Sequence, residues 1–332
     1  MKTQVPIPFL FRRSRSLRLR VRDFSICPLF EGSIQKLILL SLALAAMCVF
    51  PVQAAQVTEI VFADSQGAVL QADVSTGAAA LISSGIKLIQ PFGIAVGSDE
   101  IFVSDTGCLG IVGISRATGE QRLLSCGGFL GMPFGIALER NGDILVVNGE
   151  VLMRINPNTG AQSVISPQGS AHRLFRVPLA VAVAENDDIY VADALGPVFR
   201  VSPRNGEQML ISQGGFLERP QGIAVRGNDI YVTDVATLDM NFGIGRIIRV
   251  NANTREQKVI SEGNYLVAPV GIAVEQNGQL IVGDPYTINL ESSDLFDGAI
   301  MRINKSTGAQ ELITRCSGDY VNPRGVAVVS NH

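Results

Sequence analysis

From about residue 57 onward, apolar residues come in bursts of four to six, rich in Val and Ile, separated by clusters of Gly, Pro, Asn, Asp and Ser. Bursts this short, bounded by turn residues, are strands and not amphipathic helices. They recur in a fixed order. First comes Pro, any residue, usually Gly, and an apolar run: PFGIAV from Pro91, PFGIAL from Pro133, PLAVAV from Pro178, PQGIAV from Pro220, PVGIAV from Pro269 and PRGVAV from Pro323. A second burst ends in Asp or Asn, at Asp64, Asp105, Asn148, Asp193, Asp234 and Asp284. A third is followed by a turn, as in MRINPNTG (Met153 to Gly160), and a fourth ends in Ser or Thr, as in SVIS, MLIS and ELIT.

Four strands in a repeat of this length make one propeller blade. The hairpin between third and fourth strands closes on Gly77, Gly119, Gly160, Gly206 and Gly308, the residue type that best tolerates a left-handed backbone, whereas the fifth blade has Arg255 there and predicts a strained or reshaped turn. The chain ends settle the count. EIVFAD and the segments after it supply strands two to four of a first blade, and PRGVAVV at the C-terminus supplies its missing first strand. The sequence therefore predicts an all-β, six-bladed β-propeller of four-stranded blades, its ring closed by the C-terminal strand. Closure removes the sheet edges an open array would expose.

The run P-x-G-I-A-V, then I-Y-V-A-D and R-I, resembles the NHL repeat. More broadly it resembles the six-bladed propellers of the gluconolactonase-like and strictosidine-synthase-like kind, over residues 57–330. The resemblance implies fold more than activity, because such propellers include protein-binding scaffolds, RNA binders and lyases. A WD-type propeller is excluded by the lack of any Trp.

The first 55 residues differ in character, with eight Lys and Arg against only Asp23 and Glu31. An apolar stretch from Leu37 to Val52 follows Lys36 and leads into small residues, the three-part pattern of a secretory signal cleaved after Ala54. The division expected is thus a basic leader and signal over 1–55, removed, and a propeller over 56–332, secreted or periplasmic. The apolar stretch is shorter than the ~20 residues of a bilayer span, and no later run is longer, so no stable membrane insertion is expected after removal. What remains carries 19 Lys and Arg against 28 Asp and Glu. That acidic balance, with no basic stripe, argues against nucleic acid as a partner.

In this strand order the loops between fourth and first strands, and between second and third, share one face, here called the top. Residues following each repeat Pro should stand at the channel mouth there: Phe92, Phe134, Leu179, Gln221, Val270 and Arg324. This mouth is mostly apolar with one cation, suited to a small molecule or a protein partner, with Tyr286 contributing from a loop. Gluconolactonase-like relatives would place oxygen ligands here, often in P-D-G; this chain has no P-D-G, and only Gln221 resembles such a ligand. The alternative is a hydrolase or lyase of that kind with a divergent site.

The recurrent Asp and Asn at second-strand ends could form a carboxylate ring, but one residue type at one place in every blade reads as turn capping. Blades five and six have long second-to-third loops. In the second of these Asp284, Glu291, Asp294 and Asp297 are candidates for calcium or another divalent cation, or for an acidic docking surface, although no complete calcium-loop signature is present. His172 with Arg173 and Arg176 could receive an anion. With one other histidine, His332, the chain has neither a paired-imidazole site nor a Ser-His-Asp triad. Of the cysteines beyond the leader, Cys108 and Cys126 fall nearly opposite across the third and fourth strands of blade two, predicting a disulfide that leaves Cys316 unpaired.

Overall fold

The structure, a computed structural model, describes residues 59–166, 174–236, 244–287, 297–316, 318 and 322–329. The chain divides into two compact units, Met1–Ala55 and Gln56–His332. The first of these, with the predicted leader, lies outside the described residues.

Alternation along each burst sends successive side chains to opposite faces of its strand, and the second unit uses both faces. It forms six antiparallel sheets of four strands. Blade 1 holds Glu59–Asp64 (β1), Ala68–Ala72 (β2) and Ala79–Ser84 (β3), with the C-terminal Pro323–Val329 (β24) hydrogen-bonded inside β1. Blade 2 runs outward through Pro91–Val96 (β4), Glu100–Asp105 (β5), Gly110–Ser115 (β6) and Gln121–Cys126 (β7). Blade 3 begins at Pro133–Leu138 (β8), blade 4 at Pro178–Val183 (β12), blade 5 at Pro220–Arg226 (β16) and blade 6 at Gly271–Val274 (β20). Blade 6 ends in Gln310–Arg315 (β23). The predicted closure by the C-terminal strand is thus what the sheet order shows.

The core is six apolar layers, one between each pair of neighbouring blades. In β1, Ile60 and Phe62 enter the layer shared with blade 6, while Val61 and Ala63 enter the one shared with blade 2. This is why the bursts are apolar at successive positions: both faces of the inner strands are covered. Fully burying one such side chain contributes roughly 1.5–3 kcal/mol.

The Gly of Pro-x-Gly has a packing cause. A Cβ on Gly93 would lie 2.8 Å from the Phe134 carbonyl oxygen, one on Gly135 would lie 2.6 Å from the Leu179 oxygen, and Gly222 and Gly271 meet the Val270 and Arg324 carbonyls still more closely. Each inner strand therefore presses its glycine against the backbone of the next blade. Blade 4 accommodates Ala180 instead, with the side chain buried.

A side-chain clamp joins the outer strands. Ser83 donates to the Gly119 carbonyl at 2.7 Å, and the Gln121 amide donates to Ser83 at 2.9 Å while accepting from Lys87 N–H at 2.9 Å. Gln162 does the same for Ser125 and Phe129 N–H, Gln208 for Ser166 and Leu174 N–H, Gln257 for Ser212 and Phe216 N–H, and Gln310 for Ser261 and Tyr265 N–H. The Gln recurs two residues beyond the position of the turn glycine, a regularity that apolar patterning does not reveal.

Two expectations meet a definite outcome here. Arg255 adopts φ +64°, in the range of the turn glycines, and its N–H still bonds the Asn251 carbonyl at 2.8 Å. The blade 5 turn is strained, not reshaped. The predicted Cys108–Cys126 disulfide is corrected: both are free thiols. The residue paired with Cys126 is Gly110, so Cys108 lies two residues outside the ladder. There it joins the apolar layer between blades 1 and 2, and burial, then the Asp105 carboxylate, push its thiol up to about 11. Cys126 is exposed and Cys316 buried.

Candidate functional site

The strand ends place the two kinds of loop as expected: Pro91 lies opposite Asp105, Pro178 opposite Asp193 and Pro220 opposite Asp234. Fourth-to-first loops and second-to-third turns therefore meet on one face.

The acid at the end of each second strand binds these loops together. Asp105 accepts from Ile89 N–H at 2.7 Å and Gln90 N–H at 3.0 Å on the incoming loop, and from Gly107 and Cys108 N–H, both at 2.8 Å, on the outgoing turn. Asp193 takes Arg176, Val177 and Leu195 N–H; Asp284 takes Val267, Ala268 and Tyr286 N–H. Asn148 replaces the carboxylate by accepting from Gly131 and Met132 N–H and donating to the Phe129 carbonyl. Buried donors must be satisfied, and one side chain here satisfies two loops. The capping reading of these residues is what the geometry shows.

Burial works against their charge. Desolvation raises Asp64 and Asp234 above the ordinary carboxylate value and lifts Asp284 to about 6, in each case opposed by backbone N–H donors. Arg246 also holds Asp234, at 3.0 Å, and bonds Glu218 at 2.8 Å.

Of the six residues predicted at the channel mouth, Phe92, Leu179, Gln221 and Val270 line a central cavity of about 60 Å³. Phe134 stands edge-on to Phe92 with ring centroids 5.2 Å apart. The carbonyl of Arg324 backs Gly271, and its guanidinium lowers Asp64 electrostatically against the larger effect of burial. A cavity of this size holds about two waters, each taking ≈ 30 Å³ in the liquid. The Gln221 amide donates to the Arg219 carbonyl at 3.1 Å. Tyr286 is exposed at the top, outside this cavity. Among the described residues no three His, Cys, Asp or Glu side chains converge in a cation cage. Glu291, Asp294, His172 and Arg173 lie outside the described residues, and Asp297 is described only as the first residue of the strand Asp297–Ile303.

The pattern missed by reading residues singly is an exposed apolar surface on the top loops. Of fourteen large hydrophobic residues exposed among the described ones, nine stand on these loops, including Ile86 at 86%, Phe129 at 66% and Leu195 at 62%, and a tenth, Tyr286, stands at the top end of the strand Leu280–Thr287. The other four, Leu81, Leu123, Met209 and Leu210, lie on outer strands, so the opposite face has none. Arg176 and Arg219 are exposed among the top loops and Arg315 at the end of β23, beside the equally exposed Glu150 and Glu218. The signal was present in sequence as an apolar residue inside GGFLGMP, SGIKLIQP and GGFLERP, segments otherwise made of loop formers.

No family model matches the chain. No curated protein matches it either. Solved structures do match: one, "Crystal structure of Nidogen/Laminin Complex", superposes with a TM-score of 0.65 at 15% identity, over 82% of this chain and 98% of that one. This chain is a six-bladed β-propeller. At that identity the likeness speaks for the fold alone.

Proposed function

We propose that this propeller is a binding module, of the NHL-like kind its motifs resemble, which docks a protein partner on its top face in an extracytoplasmic compartment after loss of the leader. The observation that carries this reading is the one-sided distribution of exposed apolar side chains. Ten large hydrophobics on a single face of a rigid ring form the kind of surface that marks an interaction site, and long loops on a fixed scaffold are where binding is grafted. The matched structure is titled as a complex of nidogen with laminin, which agrees with a propeller used to hold another protein.

The channel mouth gives less support to the two other readings. A cavity of about 60 Å³ is far below the ≈ 300–1,000 Å³ of pockets that engulf small ligands. For a gluconolactonase-like hydrolase or lyase, Asp284 would have to leave three backbone N–H groups to reach a substrate or cation.

The test is site-specific photocrosslinking in the source cells, with the reactive residue at Phe129 or Phe216 on the top, or at Thr159 or Ser306 on the opposite face. Discrete adducts with one protein from the top positions are expected. Adducts from the opposite face alone, or none, would sink the proposal. N-terminal sequencing of the exported chain tests the leader, and a start at Ala55 is expected.

A further inference from the structure

The outer-strand clamp is absent at one seam. Five blade interfaces carry a Gln whose carboxamide bridges a neighbouring Ser hydroxyl and a loop N–H, at Gln121, Gln162, Gln208, Gln257 and Gln310. At the sixth, between blades 6 and 1, Ala79 occupies the Gln position and Thr314 the Ser position. The backbone match holds: a Cβ on Gly77 would approach the Ile313 carbonyl, as one on Gly119 approaches that of Ile82. The Thr314 hydroxyl has only a 3.4 Å contact to the Arg315 carbonyl. Beside Ala79 and Thr314 a cavity of about 390 Å³ opens, walled also by Phe62, Leu70, Leu81 and the exposed Arg315.

We propose that this cavity is a binding site for a ligand carrying a primary carboxamide on an apolar body. The other five seams display its recognition chemistry. There an amide N–H donates to the hydroxyl of the preceding blade, and here Thr314 holds the equivalent position, its hydroxyl turned to the Arg315 carbonyl and not spent on a bond across the seam. The walls beside it are apolar, Phe62 and Leu70 from β1 and β2 and the half-exposed Leu81 from β3. The volume falls within the range of small-ligand pockets, and apolar walls beside the polar Thr314 and Arg315 suit a ligand with an apolar body and a polar end. A free small amide and the Gln side chain of a peptide share this chemistry. The site lies between the outer strands of blades 6 and 1, and its proposal does not rest on the apolar top loops.

The experiment is calorimetric titration and thermal melting of the full chain with hexanamide, with hexan-1-ol as the probe lacking the carboxamide and N-acetylglutamine methylamide as the peptide-like probe. Hexanamide should bind saturably, with a Kd on the order of 1 mM as suits so small a ligand, and at least fivefold more tightly than hexan-1-ol. Tighter binding of the glutamine derivative would assign the source to a polypeptide, and tighter binding of hexanamide to a small molecule. Ala79→Gln should install the missing clamp, raise Tm by about 2 °C and weaken hexanamide at least fivefold. Thr314→Val should weaken hexanamide without changing hexan-1-ol. The proposal is overturned if no amide binds saturably, if Ala79→Gln binds hexanamide as the parent chain does, or if Ala79→Gln melts below it.

Discussion

The top and bottom faces of the ring are built by the same repeat, yet they solve the turn problem differently. On the bottom, each third-to-fourth turn is held by its own first residue, as when Asp73 accepts from Ser75 and Thr76 N–H, or Asn156 from Asn158 and Thr159 N–H. Ion pairs sit beside these turns, such as Arg154–Glu139 in blade 3, Arg200–Asp188 in blade 4 and Arg302–Glu275 in blade 6. On the top, a fully buried Asp such as Asp105 reaches between two loops and leaves their apolar side chains outside. The turn-holding groups of the bottom are satisfied at the surface; those of the top are satisfied inside. A face organised in the second way can present apolar side chains on a rigid backbone, and that is what a docking surface requires.

The largest effect should come from cutting one top staple. Asp105→Ala leaves four backbone N–H groups without their acceptor, and unsatisfied buried donors cost roughly 1–3 kcal/mol each, so a loss of about 3 kcal/mol or more is expected in urea unfolding. The matching cut on the bottom, Asn156→Ala, frees donors that face water and should lose about 1 kcal/mol or less. Equal losses would break the contrast between an internal and a surface solution. Next in size is binding. Phe129→Glu with Phe216→Glu should weaken the crosslinked partner about 30-fold or more, as loss of a central aromatic anchor does, with the urea midpoint unchanged. Unaltered partner affinity would take the function away from the apolar loops.

The repeat made the fold legible because closure is arithmetic: an unpaired first strand at one end and three orphaned strands at the other leave a single solution. The capping role of Asp64 to Asp284 was legible for the same reason, since a residue repeated in every blade answers a need that every blade has. Chemistry that depends on register was not. Cys108 and Cys126 looked opposed by counting from the turn, but a register shift between Ile111 and Val112 puts Gly110 opposite Cys126. Phe92, Leu179, Gln221 and Val270, read from the Pro-x-Gly motif, line the central cavity, whereas its small volume depends on how closely Gly93 and its equivalents let neighbouring backbones approach. The apolar top loops were overlooked because single Phe, Leu or Met residues in loops mean little until the ring gathers them on one side.

A smaller effect tests the bottom alone. Arg255 is the non-glycine member of the turn set, at φ +64°. A left-handed conformation costs a side chain with a Cβ about 1–2 kcal/mol, offset in part by the greater freedom glycine has in the unfolded chain. Arg255→Gly should therefore stabilise the chain by roughly 1 kcal/mol, read as a rise in urea midpoint. No gain would mean that the Arg side chain makes a compensating contact on that face.

Smallest in magnitude, and informative about both faces at once, is the response to pH. On the bottom, hydrogen bonds from Ser75 and Thr76 hold Asp73 down to about 2, and the Arg122 guanidinium lowers Glu100. Depressed carboxylates stabilise the fold above their unfolded value, and that contribution is lost as pH falls through the folded value. The top staples run the other way. Burial raises Asp64, Asp234 and, to about 6, Asp284. In the window between the ordinary carboxylate value and about 6, the folded chain keeps a proton that the unfolded chain has lost. The contribution of Asp284 is thus fully present below the unfolded value and lost as pH rises through 6. Going from pH 7 to 5.5, this residue alone should add somewhat under about 1 kcal/mol. Asp284→Asn isolates it, because Asn148 shows that an amide at this position can accept from the two incoming-loop N–H groups without a charge to desolvate. Measured by urea unfolding, the gap between parent and Asp284→Asn should change across that window in the direction of a relatively more stable parent at the lower pH. Parallel curves would mean that Asp284 titrates at an ordinary value, and that the top staples are no drier than the turns beneath them.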